Sequence, residues 1–173
     1  MRKKKQTNEP LEAALNYISS RARTVREVEN RLDLLNYAEY DVYQAVERLK
    51  ELGYLNDKKY AADFVETRLA TKPMSRRRLR EQLYAHFVPQ EIINETLSAI
   101  TDEQEAANAL KVTEKYARQY APLEQEERKQ RVARRVVGRG FDYGAIRAAM
   151  EAVFGDASGV DYSAGEEDEE SED

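Results

Sequence analysis

Residues Val28 to Leu49 read VENRLDLLNYAEYDVYQAVERL, and the pattern inside them decides the fold. Val28 and Leu32 are four apart, Asn36-Tyr37 interrupts, and Val42, Val46 and Leu49 resume the spacing. Two apolar runs at helical period with a stop between them describe two helices and a turn. The pattern recurs. Fifty-one residues on, the same slots hold Leu79, Leu83, Phe87-Val88, Ile93, Leu97 and Ile100. A further fifty-three residues on, they hold Val132, Val136, Gly140-Phe141, Ile146, Met150 and Val153. Self-similarity at a nearly fixed period is the signature of a repeat protein.

A third helix precedes each pair. Pro10 suits a first helical position, and Leu11, Ala14, Leu15, Ile18 and Ala22 share one face. Thr24-Val-Arg-Glu27 is a capping box that starts the next helix. Asn36 stops it in the left-handed conformation, and Gly53 ends the helix after that. Asn56 or Asp57, Ser75, Thr101 or Asp102, and Asp142 are caps for later helices. Tyr60, Ala61, Phe64, Val65 and Leu69 face inward in the second unit; Ala106, Leu110, Ala117 and Tyr120 form the inner stripe that opens the third. The expected fold is all-α: three tandem three-helix repeats over 10–55, 56–101 and 102–155. Units of about 45 residues lie near the size floor for folding alone, so an elongated, gently curved stack is expected. Residues 1–9 and the acidic tail 156–173 are expected to be disordered.

Composition narrows the function. The chain has 173 residues, 35% of them charged, and no cysteine. Disulfides, thiolate metal sites and a cysteine nucleophile are therefore excluded. The basic start, Met1-Arg-Lys-Lys-Lys5, is followed by Gln-Thr-Asn-Glu-Pro instead of an apolar segment, and no run has the length of a membrane span. A cytoplasmic protein without a membrane partner is expected. The formal net charge is −5, but nine of the 33 acids lie from Asp156 onward without a basic residue among them. The remaining 24 acids face 28 Lys and Arg, so the body is basic. Such asymmetry points to nucleic acid.

The basic residues cluster. Lys72, Arg76, Arg77, Arg78 and Arg80 surround one helix start; Arg128, Arg131, Arg134, Arg135 and Arg139 spread over its counterpart in the third unit. Arginine favours planar, two-pronged contact with phosphate or carboxylate. The plain alternative for both clusters is solvated surface. The first unit's equivalent, with Arg26, Glu27, Glu29 and Arg31, is mixed in charge and reads as solvated surface only. In Arg139-Gly-Phe141 the last two residues read as a turn and an anchor, which leaves Arg139 as the surface candidate. His86 is the single histidine and lacks a Ser, Cys or second His to act with. Asp57 and Asp63 lie off one face and make no acid–base pair. No catalytic residues, metal site or cofactor are expected. Tyr54 and Tyr84 are possible base-stacking residues. The acidic tail is either a mimic of DNA that covers the basic helices or a solubility tail.

The ordered combination of Gly53-Tyr-Leu-Asn-Asp57, Tyr60-Ala61, Phe64-Val65, the arginine-rich helix from Ser75 and Arg139-Gly-Phe141 resembles the RecX regulatory proteins of bacteria, over residues 11–155. The resemblance implies three tandem three-helix repeats. It implies a protein that binds the RecA recombinase filament on DNA. It also implies inhibition of filament growth, ATPase and strand exchange in repair, recombination and the SOS response. A monomer without enzymatic activity, with weak, salt-sensitive contact to single- or double-stranded DNA, is expected. Phe87 stands where such proteins usually carry glycine, so the second unit's middle turn is expected to differ in detail, and the acidic tail is outside the family's pattern. The competing reading is a sequence-specific DNA binder of helix-turn-helix type. Against it, the arginines lie on the first helix of each pair and not on the second, which would read bases.

Overall fold

The computed structural model describes residues 9–163 and 165. Among them are nine α-helices and no strand: α1 Pro10–Ile18, α2 Val25–Leu34, α3 Glu39–Glu51, α4 Asp57–Thr71, α5 Arg76–Ala85, α6 Gln90–Ser98, α7 Asp102–Gln119, α8 Gln125–Gly138 and α9 Tyr143–Phe154. The chain divides into two compact units: residues up to Asp63 with Leu83–Asn94, and Phe64–Gln82 with the residues from Glu95 on.

In the first unit α1, α2 and α3 pack pairwise around Ala14, Val28, Leu32, Val42, Val46, Leu49 and Leu55. In the second, α7, α8 and α9 do the same around Val112, Tyr116, Val132, Val136, Phe141, Ile146 and Met150. Leu79, Leu83, Val88, Ile93, Leu97 and Ile100 of the middle helices are buried as well. Most of the repeated apolar slots are thus interior, while Tyr37 and Val153 are half-buried. Burial of each large side chain contributes about 1.5–3 kcal/mol.

The turn inside each repeat has one geometry. Asn36, Phe87 and Gly140 all take positive φ, at 62°, 59° and 82°. A difference in detail was expected in the second unit, where Phe replaces Gly; Phe87 takes the same left-handed φ. The slot enforces the left-handed conformation, and Phe87 accepts it with its ring 53% exposed.

The caps follow local chemistry. Thr24 and Glu27 form the full capping box on α2, and Thr101 with Gln104 forms another on α7. Asn56 accepts from the Lys59 amide, Ser75 from Arg78 and Asp142 from Ala145. Gly155 ends α9 at φ 74°.

Three inward assignments differ from the sequence reading. α1 ends at Ile18, where Ser19 turns its hydroxyl back to the Asn16 carbonyl, and Ala22 is exposed. On α7 the buried stripe is Asn108, Ala109, Val112, Thr113, Tyr116 and Ala117, while Ala106 is exposed and Leu110 and Tyr120 are half-buried. Polar Asn108 and Thr113 disguised this stripe; the Thr113 hydroxyl donates to the Ala109 carbonyl at 2.9 Å, so its burial leaves no bond unmade. Third, residues 156–163 continue the fold. Ala157, Val160 and Tyr162 pack on the α7–α9 core, and Tyr162 stands edge-on to Tyr143 at 5.3 Å. Residues 1–8, 164 and 166–173, which complete the two expected disordered ends, lie outside the described residues.

Candidate nucleic-acid interface

The two basic helices meet within the second unit. The Ser75 amide, just before α5, donates to the Arg139 carbonyl, just after α8, at 3.0 Å. Gly140 follows with no space for a side chain: a Cβ there would stand 2.8 Å from Ser75 Oγ and 3.1 Å from Arg78 Cβ. Close approach and positive φ together require glycine.

The ten cations do different things in this frame. Arg139 is buried, 6% exposed, and donates to the Tyr116 hydroxyl at 2.9 Å. It faces the core, where the sequence reading had it on the surface. Arg139 caps α8 with right-handed backbone (φ −81°), and the left-handed stop is Gly140 after it. Arg76 reaches forward to α7: its guanidinium holds Glu105, Asp102 and the Ile100 carbonyl. Hydrogen bonds with Asp102 and Glu105 push its pKa above the ordinary arginine value. Arg76 therefore clamps the N-terminus of α7, where acids are also favoured by the helix dipole. Arg128 donates to the Ala117 carbonyl at 2.9 Å and lies over the Phe154 ring; Arg135 donates to the Tyr120 hydroxyl at 3.1 Å.

The others differ in exposure. Arg77 is exposed beside Gly140, and no ion pair holds it among the described residues. Arg78 is half-buried and pairs with Glu81 at 3.2 Å, while Lys72 and Arg80 are half-buried. Arg131 is half exposed in a loose pair with Glu127 at 3.3 Å, and Arg134 is exposed near Asp161. The accessible cations are thus Arg77, Arg131 and Arg134, on a run from α8 to the start of α5. Lys129, on α8, is 4% exposed. Its Nζ pairs with Glu126 at 3.2 Å and Asp156 at 3.8 Å because the segment after α9 returns over it.

A second polar cluster, in the first unit, escaped the sequence reading. Glu27 had read as solvated surface, yet its side chain is 12% exposed. Glu27 Oε1 stands 3.0 Å from His86 Nδ1, and Oε2 accepts from the Thr24 amide. The buried Thr24 hydroxyl donates to the His86 carbonyl at 2.8 Å. Asp57 reaches the first amide of α2, at Val25, at 2.9 Å. Burial pushes the Glu27 carboxyl up, but the His86 and Thr24 hydrogen bonds and the charges of His86 and Arg23 hold it below the usual range. Burial dominates at Asp57 and raises it. This cluster fastens the turn after α5 to the start of α2. Among the described residues no group of side chains could hold a metal ion, and no helix is long and apolar enough to cross a membrane.

Comparison with known proteins agrees with this architecture. The first, second and third three-helix domains of RecX match in tandem at residues 11–49, 56–97 and 102–150. The chain belongs to the RecX family. Among its RecX relatives, the regulatory protein RecX of Bacillus subtilis is 31% identical over 140 residues, 81% of this chain and 53% of that protein. The regulatory protein RecX of Prosthecochloris aestuarii is 27% identical over 150 residues, 85% of this chain and 95% of that protein. The crystal structure of RecX from Lactobacillus salivarius superposes with a TM-score of 0.69 at 26% identity, covering 83% of this chain and 94% of that one. The chain spans about half the length of the Bacillus RecX proteins it matches.

Proposed function

We propose that this RecX-family chain regulates the RecA recombinase by binding, as one copy, to the RecA filament on DNA and restraining filament growth, ATPase and strand exchange. Family membership supports the regulatory class. The observation that carries the nucleic-acid side is the run of accessible arginines from Arg131 and Arg134 to Arg77, set on helices that the Ser75–Arg139 contact joins. Three arginines on single-stranded DNA give a log–log salt slope of about −2.1, a weak and salt-sensitive contact. Most of the affinity then comes from protein surface on the filament. The chain acts by occupancy and not by chemistry.

The second helices of the pairs do not favour a sequence-specific helix-turn-helix reading. The second helix of the middle pair, α6, starts with Gln90, Glu91 and Asn94, and its first turn is acidic. In the third pair, Arg147 of α9 is paired with Glu151.

The test is the DNA-dependent ATPase of RecA on single-stranded DNA. Stoichiometric addition of this chain is expected to suppress it. An unchanged rate at saturating chain contradicts the proposal.

A further inference from the structure

The three repeats act as controls for one another, and the first departs from the other two on the outer face of α3. Tyr40 and Tyr43 are 70% and 59% exposed and stand three apart on that helix, so their side chains are neighbours on its surface. The shifts that align the repeats, fifty-one and then fifty-three residues, put Glu91 and Asn94 in these slots in the second copy and Gly144 and Arg147 in the third. All six positions are exposed. The fold therefore needs no aromatic side chain there. The same shifts set Leu34, 76% exposed, against Ala85 and Gly138. Leu34 ends α2 and the turn 35–38 leads into α3, so Leu34 and Tyr40 share one end of the helix pair.

Acids frame this patch. Between Arg31 and Arg48 the chain carries Asp33, Glu39, Asp41 and Glu47 and no basic residue. Glu47 is paired with Lys50, and Arg48 with Glu51. Asp33, Glu39 and Asp41 are exposed, and no ion pair holds them among the described residues. The dipole of α3 accounts for acids in its first turn. It accounts neither for the tyrosines held out of the core beside them nor for Asp33 in the last turn of α2, where the dipole disfavours an acid.

The charge selects the occupant. Three unpaired acids with no cation among them repel a phosphate backbone, so a nucleic-acid strand does not fit. A basic polypeptide does. The face of a tyrosine ring attracts a guanidinium or an ammonium group, and the carboxylates accept its hydrogen bonds. Tyrosine also gives a large contact area at low entropic cost and is enriched at the energetic centres of protein interfaces. Of the eight large apolar side chains exposed among the described residues, all but Tyr143 belong to the first compact unit. Arg77, Arg131 and Arg134 belong to the second.

We propose that Leu34, Tyr40 and Tyr43 form a protein-docking surface whose occupant is a basic segment of the RecA filament, its arginine or lysine side chains lying over the tyrosine rings and pairing with Asp33, Glu39 and Asp41. The proposal rests on the reading of this chain as a regulator of that filament. It supplies the protein contact which that reading requires, and it divides the labour: the first unit meets protein and the second meets the strand.

The test uses two full-length variants, Y40A/Y43A and D33N/E39Q/D41N. All five side chains are exposed, so both variants should fold, and circular dichroism checks this. The concentration of chain that half-inhibits the single-stranded-DNA-dependent ATPase of RecA is expected to rise at least about tenfold for Y40A/Y43A. For D33N/E39Q/D41N it is expected to rise at about 50 mM salt and to differ less from the parent at about 200 mM, where screening weakens the parent's ion pairs. Binding of a labelled oligothymidylate by the chain alone should be equal in the parent and Y40A/Y43A. Inhibition at the parent's concentration by either variant overturns the proposal and leaves the regulatory reading in place. Loss of oligothymidylate binding by Y40A/Y43A makes the patch a base-stacking surface and overturns the proposal likewise. No inhibition by the parent itself overturns the regulatory reading and the proposal with it.

Discussion

His86 Nδ1 stands 3.0 Å from Glu27 Oε1, a contact that joins residues 59 positions apart and ties the turn after α5 to the capping box of α2. The capping box seals the helix start with its own residues, and the histidine makes the same carboxylate a tertiary link.

Glu27 should therefore confer a pH dependence of defined sign. Its folded-state pKa lies below the ordinary value of 4.5, because its hydrogen bonds and neighbouring charges outweigh burial. Its stabilisation is complete above about pH 4.5 and is lost as pH falls through the lower folded value. E27Q is expected to lower stability by about 1–2 kcal/mol at pH 7 in urea denaturation, with the difference shrinking under acid. A difference that grows on acidification would refute this. Asp57 has the opposite sign: burial raises its pKa above 3.8, so its ionisation removes stability as pH rises through that window.

Phe87 marks strain in the second repeat. It holds φ 59° with an exposed ring, where Gly140 serves in the third repeat. F87G is expected to raise stability by about 1 kcal/mol, since the left-handed penalty of a side chain outweighs a small loss of burial. Thermal denaturation decides it, and a lower midpoint would show that the ring contributes contacts of its own.

Arg76 and Arg139 should behave as structural residues. R139A leaves the buried Tyr116 hydroxyl without its donor and should destabilise by about 1–3 kcal/mol. R76A loosens the clamp on α7, but Arg76 is 38% exposed, so about 1 kcal/mol is expected. In a double-mutant cycle R76A and E105A should be coupled, the pair costing less than the sum of the two. Additive effects would mean that the clamp contributes nothing.

The segment after α9 gives a further prediction. Ending the chain at Gly165 should leave stability unchanged. Ending it at Gly155 removes Ala157, Val160 and Tyr162 from the core surface and should cost about 1–3 kcal/mol. Equal stability of the two truncations in urea would contradict the packing of this segment.

The sequence disclosed what is local. The repeated apolar slots, the caps at Thr24, Ser75 and Asp142, and the stops at Asn36 and Gly140 depend on neighbours within a few residues. What it hid depends on partners far along the chain. Arg139 is interior because Tyr116 is 23 residues away, Arg76 is engaged because Glu105 is 29 residues away, and Glu27 has His86. A basic residue at helical spacing looks the same whether it meets solvent or a hydroxyl in the core. Residues 156–163 were hidden by composition, since three apolar side chains sit among acids and serines. The candidate interface shrinks accordingly, from ten basic residues to a run centred on Arg77, Arg131 and Arg134.

Charge reversal of those three tests the central claim most directly. The triple variant R77E/R131E/R134E, with helicity matched to the parent by circular dichroism, would be added to the single-stranded-DNA-dependent ATPase of RecA. The account predicts that inhibition by the parent is lost or weakened at least about tenfold, more than 1.4 kcal/mol of binding. Undiminished inhibition by the folded variant would contradict it and place the contact elsewhere on the chain.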